Sequence, residues 1–142
     1  MPQFEMPLGP CQTWQEIDSF TQGYWEAAFF TEAHGDNPDL EEATFADVAE
    51  ASGRAAVADC EAFQTQHAAL LARAYLVEAY RGGRVDYNPN QAGRDFWFTR
   101  NRHGVGFWDR GLGDIGDSLT DAAHDCGEVN MVRGDDGKVY LE

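Results

Sequence analysis

Arg100, His103, Asp109 and Arg110 fall within one short stretch, and they are residue types from which an acid–base site is built. His103 would serve as a general base, Asp109 would orient its ring, and either arginine would hold an anion. Five aromatics, Phe96, Trp97, Phe98, Phe107 and Trp108, crowd the same stretch. That density favours a simpler reading, in which Arg and Asp pair across a hairpin while the rings pack beneath. No nucleophile stands beside His103 and no second catalytic element is evident, so no catalytic residue is assigned and the chain is read as a non-enzyme.

Basic residues are concentrated around these aromatics. Between Tyr80 and Leu112 there are six Arg and three Asp, a local +3 in a chain of −15. Arginines interleaved with exposed rings are the footprint of single-stranded nucleic-acid binding, because guanidinium holds phosphate and rings stack on bases. Arg100, Arg102, His103, Trp108 and Arg110 are the residues that would carry it. The field of the whole chain repels phosphate backbones, so direct nucleic-acid binding is the alternative and not the leading expectation.

Acidic residues are laid out differently. Residues 1 to 81 hold fourteen Asp and Glu against three Arg, a net of −11, whereas residues 82 to 142 hold eleven acids against seven bases, a net of −4. Asp36, Asp39, Glu41, Glu42, Asp47 and Glu50 form the densest run. Carboxylates spaced along a surface can stand in for phosphates and occupy a positive groove built for nucleic acid. A solvated face that keeps the protein soluble is the plain alternative, but −15 is more than solubility requires. These six acids are the expected partner-binding residues.

Other site chemistries find little support. His34, His67, His103 and His124 are scattered, and adjacent helical residues such as His124, Asp125 and Cys126 point apart, so no metal site is expected. Cys11, Cys60 and Cys126 are odd in number and contain no C-x-x-C pair, which suggests reduced thiols and no disulfide framework. Gly111, Gly113 and Gly116 make a lone G-x-G-x-x-G outside any βαβ context, so no nucleotide cofactor is implied. No stretch approaches the length of a membrane span, and the first residues lack the basic start and apolar run of a secretion signal. A cytoplasmic protein that does not engage a membrane is expected.

The elements that must position these residues read as α+β in a single domain over 1–142, with an acidic helical subregion at 1–81 and a hairpin–helix–hairpin subregion at 82–142. Thr13 and Glu16 have capping-box spacing ahead of an apolar face at Ile17, Phe20, Tyr24, Trp25 and Ala28, which predicts a helix over about 13–33. A short helix from about 44 to 51 and a long one over about 54–80 follow, with His67 on the apolar side of the latter. Gly82, Gly83 and then Asn88-Pro89-Asn90 mark a boundary. Residues 94–100 read as a strand, 101–104 as a turn and 105–108 as the return strand. A helix over 114–126 ends at Gly127, and Asp135-Asp136-Gly137 closes a second hairpin between the alternating runs at 129–131 and 139–141. The C-terminal half is thus expected to be β-β-α-β-β.

Residues 95 to 111, which contain FWFTRNRHGVGFWDRG, together with Gly134-Asp135-Asp136-Gly137, resemble a segment of small uncharacterised proteins of bacteriophages and prophages. The resemblance covers about residues 91–142 and carries no activity of its own. What it implies is a source in a mobile element of a bacterium. Small acidic phage proteins resemble, in charge, the anti-CRISPR and antirestriction inhibitors of host defence. By that analogy the expected partner is a host protein or ribonucleoprotein with a basic groove, a CRISPR effector first among them, in the cytoplasm of the host cell.

Overall fold

A computed structural model of the chain describes residues 13–33, 40, 42–77 and 87–142. Among these residues the fold is mostly helical, with one small antiparallel sheet near the C-terminal end. The α-helices are α1 (Ser19–Ala33), α2 (Glu50–Gln66), α3 (Ala68–Tyr75), α4 (Pro89–Arg100) and α5 (Asp114–Asp125). Strands β1 (Met131–Arg133) and β2 (Val139–Leu141) pair in the register Met131 with Leu141, Val132 with Tyr140 and Arg133 with Val139.

The central pairing is α1 on α4, and two glycines make it possible. A Cβ on Gly23 would lie 2.0 Å from the Asn90 carbonyl oxygen, and one on Gly93 would lie 1.8 Å from that of Phe20. The two backbones therefore touch directly. Around this contact Phe20, Tyr24, Phe63, Phe96, Trp97 and Phe107 are all buried, with Phe63 stacked on Phe96 at 4.2 Å and Tyr24 edge-on to Trp97 at 5.3 Å. Each such ring removed from water contributes about 1.5–3 kcal/mol, so this aromatic cluster is a large source of stability.

Residues 94–100 are helical, which corrects the expected first hairpin. Asn88 is in extended conformation and its side chain accepts the Gln91 N–H, while Pro89 sits where its missing N–H costs nothing, so a helix starts there. The aromatics suggested a strand, yet they are buried on every side of α4, from Asp95 to Arg100 without a break. The helix ends in a Schellman motif. The His103 N–H bonds the Phe98 carbonyl at 2.8 Å and the Arg102 N–H bonds that of Thr99 at 3.0 Å, with Arg102 at φ 60° in the place usually held by glycine. Residues 105–108 are not a strand either: Phe107–Asp109 form a 3-10 turn.

Smaller departures lie in the first half. Glu16 does accept the Thr13 N–H at 2.8 Å, but it closes only a turn, and α1 begins after Asp18, whose side chain accepts the Thr21 N–H. The short second helix is a 3-10 turn at Phe45–Asp47 followed by α2 from Glu50. The long helix divides into α2 and α3 at His67, whose backbone turns out of helical geometry and whose half-buried ring lies 4.8 Å from that of Phe63. Helix α5 and the terminal hairpin stand as expected, with Gly127 at φ 79° and Gly137 at φ 83°. The hairpin is tied back to the helices, since the Ala49 N–H bonds the Val139 carbonyl and the Leu141 N–H bonds the Ser52 hydroxyl.

Candidate functional site

The arginines proposed for a nucleic-acid surface are divided by the fold. Arg100 is only 4% exposed. Its guanidinium donates to the Tyr24 hydroxyl at 3.0 Å, to Asp59 at 2.9 Å and to the carbonyls of Gly127 and Cys126 at 2.8 and 3.1 Å, and it lies over the Phe96 ring. Burial opposes its charge, but Tyr24 and Asp59 outweigh that and hold it above its ordinary pKa. Arg110 grips the buried Asp95, which also takes the Tyr87 hydroxyl at 2.6 Å and the Gln91 amide at 3.2 Å. Both arginines are therefore internal fastenings, which corrects their assignment to a ligand surface. Arg102 is exposed with a loose 3.7 Å contact to Glu128, and Trp108 is exposed as well.

An acid–base pair of His103 and Asp109 is not assembled. His103 turns its ring edge-on to Phe98 at 6.0 Å, and among the described residues no hydrogen bond joins it to Asp109. Burial pushes the thiols of Cys60 and Cys126 above their ordinary pKa, which keeps both in the less nucleophilic protonated form at neutral pH. Among the described residues no three His, Cys, Asp or Glu converge as metal ligands, and no helix is long and apolar enough to cross a membrane.

Of the acids expected to bind a partner, Asp36, Asp39 and Glu41 lie outside the described residues. Glu42 is exposed, Asp47 accepts the Thr44 N–H at 2.9 Å in a capping box, and Glu50 pairs with Arg54 at 3.3 Å. Other acids of the helical half also serve the fold: Glu26 pairs with Arg94 at 2.8 Å, and Asp59 faces Arg100. Burial would raise the pKa of Asp18, but hydrogen bonds from the Thr21 side chain and backbone and from Gln64 outweigh it and lower the value.

Of the carboxylates with no hydrogen-bond or ion-pair partner among the described residues, Glu32, Glu42, Glu61, Asp109 and Asp135 are scattered, whereas four stand together on α5. Asp114, Asp117, Asp121 and Asp125 are all exposed and follow one another at three- and four-residue steps, which places them on one line opposite the buried Gly116, Leu119 and Ala123. Among the described residues none has a hydrogen-bond or ion-pair partner. The line spans about 16 Å at 1.5 Å per residue, or one charge per about 5–6 Å, against about 3.4 Å per phosphate along a DNA strand. Counting acids by halves hid this face, because the basic residues at 82–110 cancel it in the sum. The spacing of the four Asp within the expected helix was the signal that could have found it.

Compared with protein families, with curated proteins and with solved structures, the chain matches none.

Proposed function

We propose that the chain is a protein-binding inhibitor of bacteriophage type, which occupies a basic, nucleic-acid-holding surface of a host defence complex and acts one for one rather than by turnover. A CRISPR effector is the first partner to test, in the host cytoplasm. The observation that carries this reading is the unpartnered line of Asp114, Asp117, Asp121 and Asp125. Three like-charged neighbouring pairs along it cost the helix about 0.6–1.5 kcal/mol, which the favourable place of Asp114 and Asp117 in the first turn offsets, while Asp125 lies at the end where the macrodipole disfavours an anion. A cationic partner would relieve that repulsion along the whole line. The resemblance of residues 91–142 to phage proteins agrees in source.

The test is displacement of labelled duplex DNA from guide-loaded CRISPR effectors by the purified chain, compared with a variant carrying Asp114→Asn, Asp117→Asn, Asp121→Asn and Asp125→Asn. At about 0.5–1 kcal/mol per exposed ion pair, the variant is expected to bind about 30- to 1,000-fold more weakly and to lose most of its salt dependence. Inhibition that survives in the variant unchanged would refute the assignment.

A further inference from the structure

The tip of the β1–β2 hairpin carries a reactive step in the main chain. Asp136-Gly137 is the one Asp-Gly pair among the 142 residues, and the sequence has no Asn-Gly. At such a pair the backbone nitrogen of the glycine can attack the carboxyl carbon of the aspartate, because glycine has no side chain to keep it off. In the protonated acid the C–N bond forms, the nitrogen gives up its proton and the carboxyl hydroxyl leaves as water. Water then reopens the cyclic imide. Opening at the side-chain carbonyl restores aspartate, whereas opening at the main-chain carbonyl gives isoaspartate, with one more methylene in the backbone. Both residues are exposed, so solvent reaches the turn.

The fold works against this step. Gly137, at φ 83°, donates its N–H to the Gly134 carbonyl at 3.0 Å, and the Gly134 N–H donates to the Lys138 carbonyl at 2.8 Å. The attacking nitrogen is thus committed, and the Arg133 side chain holds the carbonyl of the same glycine at 3.0 Å. Both carboxylate oxygens are taken as well. Oδ1 accepts the Lys138 N–H at 2.9 Å and Oδ2 accepts the Tyr140 hydroxyl at 2.5 Å. Tyr140 first and the Lys138 N–H next hold the carboxyl below its ordinary pKa, in the ionised form from which no water can leave. The Tyr140 ring lies across Gly134 so closely that a Cβ there would come within 2.7 Å of it, which fixes the hydroxyl over the turn.

We propose that Asp136-Gly137 is the position at which this chain is modified with age, by isomerisation of Asp136 to isoaspartate, and that Tyr140 is the residue that restrains it. The consequence reaches the helices. β2 is tied to them by the Val139 carbonyl on the Ala49 N–H and by the Leu141 N–H on the Ser52 hydroxyl, so a longer main chain in the turn shifts β2 against β1 and pulls on both ties.

The test is incubation of the intact chain, Tyr140→Phe and Gly137→Ala at neutral pH in water enriched in heavy oxygen, which enters the residue whenever the imide is reopened. Trypsin then releases residues 134–138 between Arg133 and Lys138 for mass spectrometry, and chromatography separates the isoaspartate form. In the parent, label and isoaspartate are expected in this peptide ahead of every other aspartate, and Gly137→Ala should reduce both. Tyr140→Phe should form isoaspartate about 2- to 10-fold faster, the factor carried by loss of one hydrogen bond. In urea the parent should speed up and the two rates should converge, because the turn is gone. Isoaspartate that arises first at another residue, or a folded Tyr140→Phe that reacts no faster than the parent, overturns the inference. A parent that reacts no more slowly folded than in urea overturns it as well, whatever the variants do.

Discussion

Replacing Arg100 with Met removes a cation from the point where α1, α2, α4 and the end of α5 meet, and the cost follows from what each partner does next. Asp59 has a side chain 47% exposed, and Cys126 and Gly127 stand at the surface end of α5, so loss of the cation strands these groups less than the Tyr24 hydroxyl. Tyr24 is buried, and a stranded buried hydroxyl costs about 1–3 kcal/mol. Loss of the cation over Phe96 adds about 0.5–2 kcal/mol, while the Met side chain keeps most of the packing of the arginine stem. Arg100→Met should therefore destabilise by about 3 kcal/mol, a large part of the roughly 5–15 kcal/mol typical of a domain. Tyr24→Phe alone should cost about 1 kcal/mol, since Arg100 keeps Asp59 and two carbonyls. The double variant should fall short of additivity by about 1–2 kcal/mol. Urea unfolding followed by circular dichroism at neutral pH measures all three. If Arg100→Met unfolds within about 0.5 kcal/mol of the parent, or if the two changes add, Arg100 is not the internal fastening described.

Gly93→Ala should destabilise by about 3 kcal/mol or more because its Cβ meets backbone and not a movable side chain, whereas Gly104→Ala, with open space around it, should stay within about 0.5 kcal/mol; equal effects in thermal melts would refute the close α1–α4 contact. Trp25→Phe and Trp97→Phe each leave a cavity in the core, but the Trp25 indole N–H is buried with no partner among the described residues, while Trp97 gives up a 3.0 Å bond to Thr31, so Trp97→Phe should cost about 1–2 kcal/mol more; urea midpoints that rank the two the other way would count against it. Stability should fall in alkali. Burial raises the pKa of Tyr24, Tyr87 and Cys60 in the folded chain and pushes Tyr75 up to about 12, so the unfolded chain releases protons first, from its ordinary values of 9.0 for the thiol and 10.0 for tyrosine. The stabilisation is complete below pH 9 and is lost above pH 10 at about 4 kcal/mol per pH unit for Tyr24, Tyr87 and Cys60 together. Urea midpoints that stay level as pH rises well past 10 would contradict it.

How much of this was legible in the sequence depended on whether each element's signal was local. The terminal hairpin was readable because Asp135, Asp136 and Gly137 determine its turn by their own backbone preferences, and α5 was readable because its buried and exposed faces alternate at helical period. Helix α4 was not, since burial on all sides leaves no period and three consecutive rings mimic a strand. Its start signal, Asn88 before Pro89, was read only as a turn, and its end has Arg102 where a glycine would have marked it. The structural role of Arg100 and Arg110 was also hidden, because partners such as Tyr24 and Asp59 for Arg100 are distant in sequence and meet only through packing.

Net charge by itself says little about where a partner binds, because a carboxylate can be satisfied within its own fold. Asp18, Glu26, Asp47, Asp59 and Asp95 each have a donor held near them, and their charge is spent on caps and on joining helices. Such groups already have the cation or N–H that a partner would supply, so a partner must first displace it. Asp114, Asp117, Asp121 and Asp125 have nothing to give up. They repel one another on a helix that is held by its other face, through Leu119 and Ala123, and a basic partner relieves that repulsion on contact. The free-energy change on binding is therefore greatest where the folded chain satisfies its charges least, and among the described residues α5 carries the longest continuous line of such charges.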